Sequence, residues 1–301
     1  MATLKELINE RVERLESVPS ELLTAIEANQ LELFNDLLSQ ISQLDTKRGN
    51  FIINSKNLAL IDSIVSNLKK SMFDGKYVEA LDRFITEYNK QTGIINSIVN
   101  ATFNTFSEKQ LYEQARLNSI EGMLLLFDQP AAQVNLFTPL RSILYESVSS
   151  GSGFEDTVRA IREFMLSDNE NLGNYIRYSR QVAFDAFAVS DRTYANVIHE
   201  DIGVLKYEYF GGTLPKSRCF CIERQGKVWS KEQLQQWGRR ENIGSCEVTL
   251  KSGRKGWKGI NDATNEKTIF NYLGGWNCIH ALIAVSPETE AAELEGEGLP
   301  N

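Results

Sequence analysis

The segment from Ser217 to Ile283 opens with SRCFC (217–221) and carries GGWNCIH (274–280) shortly before its end. It contains all four cysteines of the chain and one of the two histidines. The sequence before it is typical of helices, and the sequence after it is acidic. This concentration of thiols and an imidazole predicts a small stapled module attached to a helical body.

Length and composition limit the class of protein. A chain of 301 residues is long enough for two domains, and six prolines among many Leu, Ile, Glu and Gln residues favour helix over sheet. The longest apolar run, Met123 to Phe127, is far shorter than the roughly 18 residues that cross a bilayer. The charged start at Lys5 and Glu6 lacks the apolar core of a signal peptide. We therefore expect a soluble protein that is not exported from the cytosol.

Charge is distributed unevenly along the chain. Residues 1–200 carry a net −8, residues 201–287 a net +5, and residues 288–301 a net −5. An acidic chain is a poor general nucleic-acid binder, because phosphates require clustered Lys and Arg. The basic C-terminal part leaves DNA contact open, although an ordinary solvated surface is the favoured interpretation.

The first two hundred residues predict a succession of amphipathic helices, because apolar residues recur there at intervals of three and four. Pro19 and Ser20 predict that the first helix ends and a second begins, with Ser20 as its N-cap. The stretch SSGSG (149–153) predicts a flexible joint. It does not fit a phosphate-binding loop, because no Lys-Ser/Thr pair follows it. A longer helix is expected over 172–199.

The pattern changes near residue 203. Alternation over 205–209 predicts a half-buried strand, and residues 227–229 a short second one. Ser230 is expected to cap a helix that continues to Trp237. The remaining prediction is an extended loop over 239–264, a short helix over 265–273 and a last strand over 281–285.

The predicted fold class is therefore mainly α with a small C-terminal α+β module and a multi-helix N-terminal body. The predicted domains are a helical scaffold (1–200), the α+β module (201–287) and an acidic disordered tail (288–301).

Cys219, Cys221, Cys278 and His280 together offer the four ligands of a tetrahedral zinc site. Structural zinc would suit a small module whose own core is thin. The spacing argues against it, because residues two apart on a strand point to opposite faces unless a turn intervenes. A disulfide between Cys221 and Cys278 and simple packing of buried thiols are the alternatives, and all three stay open.

The sequence predicts no enzyme. His199 stands at the end of a helix, where the dipole favours a structural cation. Cys278 and His280 are too close in sequence for the usual separated nucleophile and base. The sequence also has no serine-hydrolase elbow, zinc-protease motif or Walker-type loop.

Residues 181–285 nevertheless resemble the Mu F-like phage head morphogenesis family, also called phage minor head or minor capsid proteins. The resemblance rests on SDRTYAN (190–196), LKYEYFGG (205–212), SRCFC (217–221), ERQGKVW (223–229) and YLGGWNCIH (272–280), in this order. It covers about a third of the chain. The family pattern leaves the position of Cys219 variable and usually has Arg where Ile279 stands here.

The resemblance assigns the matching residues to folding of the module rather than to chemistry; these are Ser217, Arg218, Cys221, Gly274, Gly275, Cys278 and His280. It implies a structural and assembly protein of a tailed-phage head, present in several copies at the portal vertex and made in the host bacterial cytoplasm. Its implied partners are portal and capsid proteins, with packaged DNA in some relatives and no membrane. The alternative function is a zinc-stapled nucleic-acid-binding module.

Overall fold

The computed structural model describes residues 2–73, 75–104, 106–166, 173–213, 217–244, 246–249, 255–257 and 259–287. They form a mainly α protein with a small sheet region near the C-terminus, as the sequence predicts. The predicted acidic tail, 288–301, lies outside the described residues. None of the helices in the described part is long and apolar enough to cross a membrane.

In the described residues, eight α-helices precede the three-stranded sheet. They are α1 Leu4–Ile41, α2 Ser55–Phe73, α3 Lys76–Phe103, α4 Gln110–Leu125, α5 Gln129–Ala132, α6 Thr138–Ser150, α7 Phe154–Met165 and α8 Asn174–Asp201. A π-helical turn, Gln133–Phe137, joins α5 to α6. A small hairpin, β1 Thr46–Lys47 with β2 Asn50–Phe51, lies between α1 and α2.

The predicted break at Pro19 is wrong, because α1 continues through it for 38 residues. Proline removes one backbone donor, and its ring crowds the carbonyl of Leu15 four residues earlier. Apolar side chains are buried on both sides of it, such as Leu15 before and Leu22 and Ile26 after. Their burial offsets the local cost of the proline, so Ser20 lies inside the helix and does not cap one.

Contacts divide the chain into two compact units. The first contains residues 2–18, 86–123 and 184–287, and the second contains Pro19–Ile85 and Leu124–Ala183. The predicted module, 201–287, therefore belongs to the first unit together with segments of α1, α3, α4 and α8. The predicted domain boundary at residue 200 stays a prediction.

In the second unit the Ser/Gly stretch makes an ordered corner between α6 and α7. Gly151 takes the left-handed conformation and caps α6. The carbonyl of Ser152 accepts a hydrogen bond from the backbone of Phe51 (3.0 Å), and Phe154 N–H donates to the carbonyl of Gly49 (2.9 Å). The corner is thus hydrogen-bonded to the β1–β2 hairpin.

The helical part of the first unit is joined by a buried polar network. The guanidinium of Arg11 on α1 pairs with the carboxylate of Asp191 on α8, with 2.9 Å between Nη2 and Oδ2. Gln91 on α3 donates to the same carboxylate (2.7 Å) and to the carbonyl of Arg11 (3.0 Å). Because every charge in this network is matched, its burial is tolerated.

The rest of the first unit is the module. Its antiparallel sheet has the order β4–β3–β7, with β3 Lys206–Phe210 in the centre, β4 Val228–Ser230 and β7 Ala281–Ala284. Three helices pack there: α9 Cys219–Arg224, α10 Lys231–Gly238 and α11 Ile269–Tyr272. The predicted N-cap of α10 at Ser230 is confirmed, and Ser230 and Gln233 also exchange side-chain to backbone hydrogen bonds, which makes the cap a capping box.

Two parts of the module differ from the sequence-based expectation. Residues 219–224 form α9, whereas the metal-site prediction treated them as a strand. The stretch expected to be an extended loop, 239–264, contains a hairpin of β5 Glu247–Thr249 and β6 Lys255–Trp257. A six-residue helix and two three-residue strands are too short to produce a readable hydrophobic period.

Candidate metal centre

Three elements of the module bring their side chains to one point. Strand β3 supplies Tyr209, α9 supplies Cys221, and the turn before β7 supplies Cys278 and His280. The ligand atoms of Cys221, Cys278 and His280 all lie within 4.8 Å of one another, so these three residues could hold a metal ion. Nδ1 of His280 is 3.7 Å from Sγ of Cys278.

The turn explains why Cys278 and His280 meet. Cys278 N–H donates to the carbonyl of Gly275, and Asn277 adopts a positive φ of 56°. Strand β7 begins only at Ala281. The strand objection to these two ligands therefore does not apply, because the turn named as its exception is present.

Cys219 lies apart from this cluster. On a helix, residues two apart are separated by about 200° around the axis, so Cys219 and Cys221 face different sides of α9. Cys219 forms a disulfide with Cys246, with 5.8 Å between the Cα atoms. Cys221 and Cys278 are free thiols, so the predicted Cys221–Cys278 disulfide is wrong and Cys219 is not available to the cluster.

The cluster is sealed from solvent. Cys221, Cys278 and His280 are each 2–3% exposed, and Tyr209 is 0% exposed. A methyl group added at Gly274 would lie 2.5 Å from Sγ of Cys221 and 2.9 Å from Sγ of Cys278. Glycine at position 274 is therefore required for the backbone to approach the two sulfurs.

The two thiols have opposite proton affinities. A hydrogen bond from Cys221 holds the pKa of Cys278 well below its usual range, and the nearby imidazole and Arg192 act in the same direction. The pKa of Cys221 is raised, first by that same hydrogen bond and then by burial. Burial also raises the pKa of Tyr209 far above its usual value. Without a metal, the cluster favours one thiolate beside one neutral thiol and a neutral phenol.

Two arginines, Arg192 buried and Arg218 half-buried, hold the loop that carries these ligands. Arg192 on α8 donates to the carbonyls of Cys278 (2.8 Å), His280 (3.0 Å) and Asn271 (2.6 Å). Arg218 donates to the carbonyl of Gly274 (3.1 Å). Each guanidinium satisfies backbone oxygens that would otherwise be buried without a partner.

Asp185 completes this support from α8. Its Oδ1 accepts a hydrogen bond from the backbone of Asn277, whereas no partner for its buried Oδ2 lies among the described residues. Burial raises the pKa of Asp185 to about 6. Asp185 therefore fixes the turn next to Cys278.

His199 does not have the predicted role of a helix-end cation. It lies 3% exposed near the end of α8, with its ring 5.6 Å from that of Tyr207. Burial, and secondly Arg11, lower its pKa to about 3, so the imidazole is neutral at pH 7. Desolvation outweighs the attraction of the helix dipole at this position.

Sequence reasoning missed Tyr209, Arg192 and Asp185 at this centre, and it missed Cys246 as the partner of Cys219. The alternation of β3 could have identified Tyr209, because period two places it on the buried face with Tyr207. Nothing in the sequence pairs Cys219 with a cysteine 27 positions away rather than with Cys278.

Two thiols and an imidazole suit zinc or another thiophilic ion, and a site closed to solvent suits a structural metal rather than a catalytic one.

No family model, curated protein or solved structure matches this chain.

Proposed function

We propose that this chain is a structural and assembly protein of a tailed-phage head, a minor capsid protein of the portal vertex and not an enzyme. It would act in head morphogenesis and, through the same position, in DNA packaging or ejection. The observation that carries the proposal is that the residues of the phage-head resemblance are the internal framework of the module.

Most of those residues are buried or make a supporting contact within the module. Arg218 ties α9 to the carbonyl of Gly274, Gly274 lets the backbone reach both free sulfurs, and Cys278 and His280 are 3% exposed. Residues with so little exposed surface cannot contact a substrate, whereas they can fix a fold. This supports a module that is preserved for its shape.

The helical body suits contact with other proteins. Helix α1 has 38 residues, and α3 and α8 have 28 each, which provides long polar and apolar surfaces. On α4 the side chains of Leu111 and Leu117 are about half exposed. Exposed apolar side chains on one element favour a protein interface, and portal and capsid proteins are the partners that the resemblance implies.

Particle composition tests this proposal. In a phage that encodes the chain, we expect it in purified heads and in complexes isolated with the portal protein. Arg192→Ala should remove it from particles, because three buried carbonyls lose their donor. Arg239→Ala is the matched control, since Arg239 makes only exposed ion pairs. Absence of the wild-type chain from heads, together with normal heads in its absence, would refute the proposal.

A second proposal is that Cys221, Cys278 and His280 hold a structural zinc ion. The observation in its favour is the convergence of three buried ligands of the types zinc prefers. We expect one zinc per purified chain, lost in Cys221→Ser and retained in Cys219→Ser. The two variants change cysteines of the same helix, and only the first removes a ligand. Equal zinc content in both would contradict the assignment.

A zinc-stapled nucleic-acid-binding module receives less support. Arg239, a basic residue of the module, is surrounded by the carboxylates of Glu232, Glu241 and Glu266. These acids compete with phosphate for it. Binding of the full chain to duplex DNA that weakens steeply with salt would favour this function; salt-independent or absent binding would exclude it.

A further inference from the structure

Tyr209 is the residue of the cluster that has no assigned role. It lies on the buried face of β3 and is 0% exposed. Its hydroxyl donates a hydrogen bond to Sγ of Cys221 (3.4 Å) and makes a second contact with Sγ of Cys278 (3.7 Å). Sulfur is a weak acceptor, so these bonds offset only part of the cost of burying a phenol.

The distances around Tyr209 match those of a metal tetrahedron. Zinc lies about 2.3 Å from sulfur and about 2.0–2.1 Å from nitrogen or oxygen, so two of its ligands are roughly 3.5 Å apart at the tetrahedral angle. The donor pairs here are separated by 3.4 Å (Tyr209 and Cys221), 3.7 Å (Tyr209 and Cys278) and 3.7 Å (Cys278 and His280). These are the separations that ligands of one ion require.

We propose that the hydroxyl oxygen of Tyr209 is the fourth ligand of a closed zinc site whose other ligands are Cys221, Cys278 and His280. The inference rests on the zinc site proposed above. Zn²⁺ is then held by two thiolates, a phenolate and a neutral imidazole, so the protons that Cys221 and Tyr209 carry in the metal-free cluster are released to solvent on binding. The site then carries a net charge of −1.

The surroundings accept this charge. Arg192 and Arg218 act on the two sulfurs by charge attraction, so a negative site is stabilised by both guanidinium groups. Ligation at Nδ1 of His280 puts the imidazole proton on Nε2, which is buried without a hydrogen-bond partner among the described residues.

A zinc titration of the full chain tests the assignment. The wild-type chain is stripped with a strong chelator and titrated with Zn²⁺ while near-ultraviolet absorption is followed. We expect the band of an ionised tyrosine to grow and to saturate at one equivalent. In Tyr209→Phe the band should be absent and zinc affinity should fall by about 10–100-fold, the usual cost of losing support at a metal site.

Tyr207→Phe is the matched control. Tyr207 lies two residues earlier on the same buried face, and its hydroxyl donates to the carbonyl of Val204 instead of facing sulfur. This variant should keep both the band and the affinity. The wild-type titration decides the question even if Tyr209→Phe does not fold, because ionisation of a tyrosine on zinc binding is seen without any substitution.

The failures are distinguishable. Stoichiometric zinc binding without the tyrosinate band, and with equal affinity in Tyr209→Phe, would leave the zinc proposal standing and overturn the role of Tyr209. Absence of zinc binding in the wild-type chain would overturn both. Neither result bears on incorporation of the chain into phage heads.

Discussion

Helix α9 carries two cysteines with different fates, and their comparison shows how the module is built. Cys219 is half-buried and joined to Cys246 of the 243–249 segment by a disulfide. Cys221, two positions later on the same helix, is buried beside Cys278 and His280, and its thiol is free. We refer to these as the outer pair (Cys219 and Cys246) and the inner pair (Cys221 and Cys278).

The two pairs stabilise the module through different contributions to the free energy of unfolding. The outer pair restricts the unfolded chain by closing a loop across 27 positions. The inner pair contributes buried surface and, with zinc, the free energy of metal binding. Reductants should therefore act on the outer pair, and chelators on the inner one. All four tryptophans lie within 229–276, so their fluorescence reports structural changes around the module.

The largest expected effect comes from removing zinc from the inner pair. If free zinc exceeds its Kd about 1,000-fold, a strong chelator should lower the free energy of unfolding by about 4 kcal/mol. In Cys278→Ser the chelator should have almost no effect, because a ligand is already missing. Urea unfolding followed by tryptophan fluorescence, with and without chelator, measures the difference.

Cys246→Ser is the control for this experiment. It changes the outer pair only, so its response to the chelator should equal that of the wild-type chain. A chelator effect that disappears in Cys246→Ser but persists in Cys278→Ser would reverse the roles that we assign to the two pairs.

The second effect concerns the outer pair. Opening a loop of this length should cost about 3 kcal/mol in the free energy of unfolding. Cys246→Ser should show this loss under oxidising conditions and no further loss with a reductant. The wild-type chain should become equal to the variant when reduced. A reductant that destabilises both proteins equally would show that the outer pair is not the reducible element.

The third prediction concerns the close approach of the Gly274 backbone to the two sulfurs of the inner pair. Gly274→Ala places a methyl group 2.5 Å from Sγ of Cys221 and should cost about 1–3 kcal/mol through overpacking. Gly212→Ala is the matched control, because no atom lies within 4 Å of the added methyl group. Equal unfolding midpoints for the two variants would mean that the backbone can move away from the sulfurs at little cost.

The sequence predicted the parts of the module that depend on local rules. The N-cap at Ser230 and the alternation of β3 need only residues that are close in the chain. The mainly α class followed in the same way from helical spacing over the first two hundred residues.

The features that the sequence did not predict depend on contacts between residues that are far apart in the chain. Cys219 pairs with Cys246 because α9 turns its first cysteine away from the inner pair, and the helix was too short to recognise. Pro19 predicted a break that long-range packing overrides. Three of the four candidate ligands named from the sequence, Cys221, Cys278 and His280, lie together in the fold. Cys219 does not, and Tyr209 lies on a strand that the spacing argument had not connected with them.

The smallest expected effect comes from His199. It must be known before a loss of stability in acid can be assigned to the inner pair. Acid protonates the ligands of the inner pair, but His199 adds a loss of stability that does not involve metal. Its folded-state pKa of about 3 lies below the usual 6.5. The unfolded chain therefore binds a proton at pH values where the folded chain does not. The stability it contributes is complete above pH 6.5 and declines as the pH falls towards 3, by at most about 1.4 kcal/mol per pH unit.

Substitution of His199→Gln should remove this decline. In the presence of chelator, so that metal release plays no part, we expect the unfolding free energy of His199→Gln to fall less steeply between pH 6.5 and 4.5 than that of the wild-type chain. Carboxylates titrate alike in both proteins and cancel in the difference between the slopes. A buried Gln can lower stability at every pH without changing that difference. Parallel slopes would mean that His199 is solvated and charged in the folded chain, and acid sensitivity could then be assigned to the inner pair and the carboxylates alone.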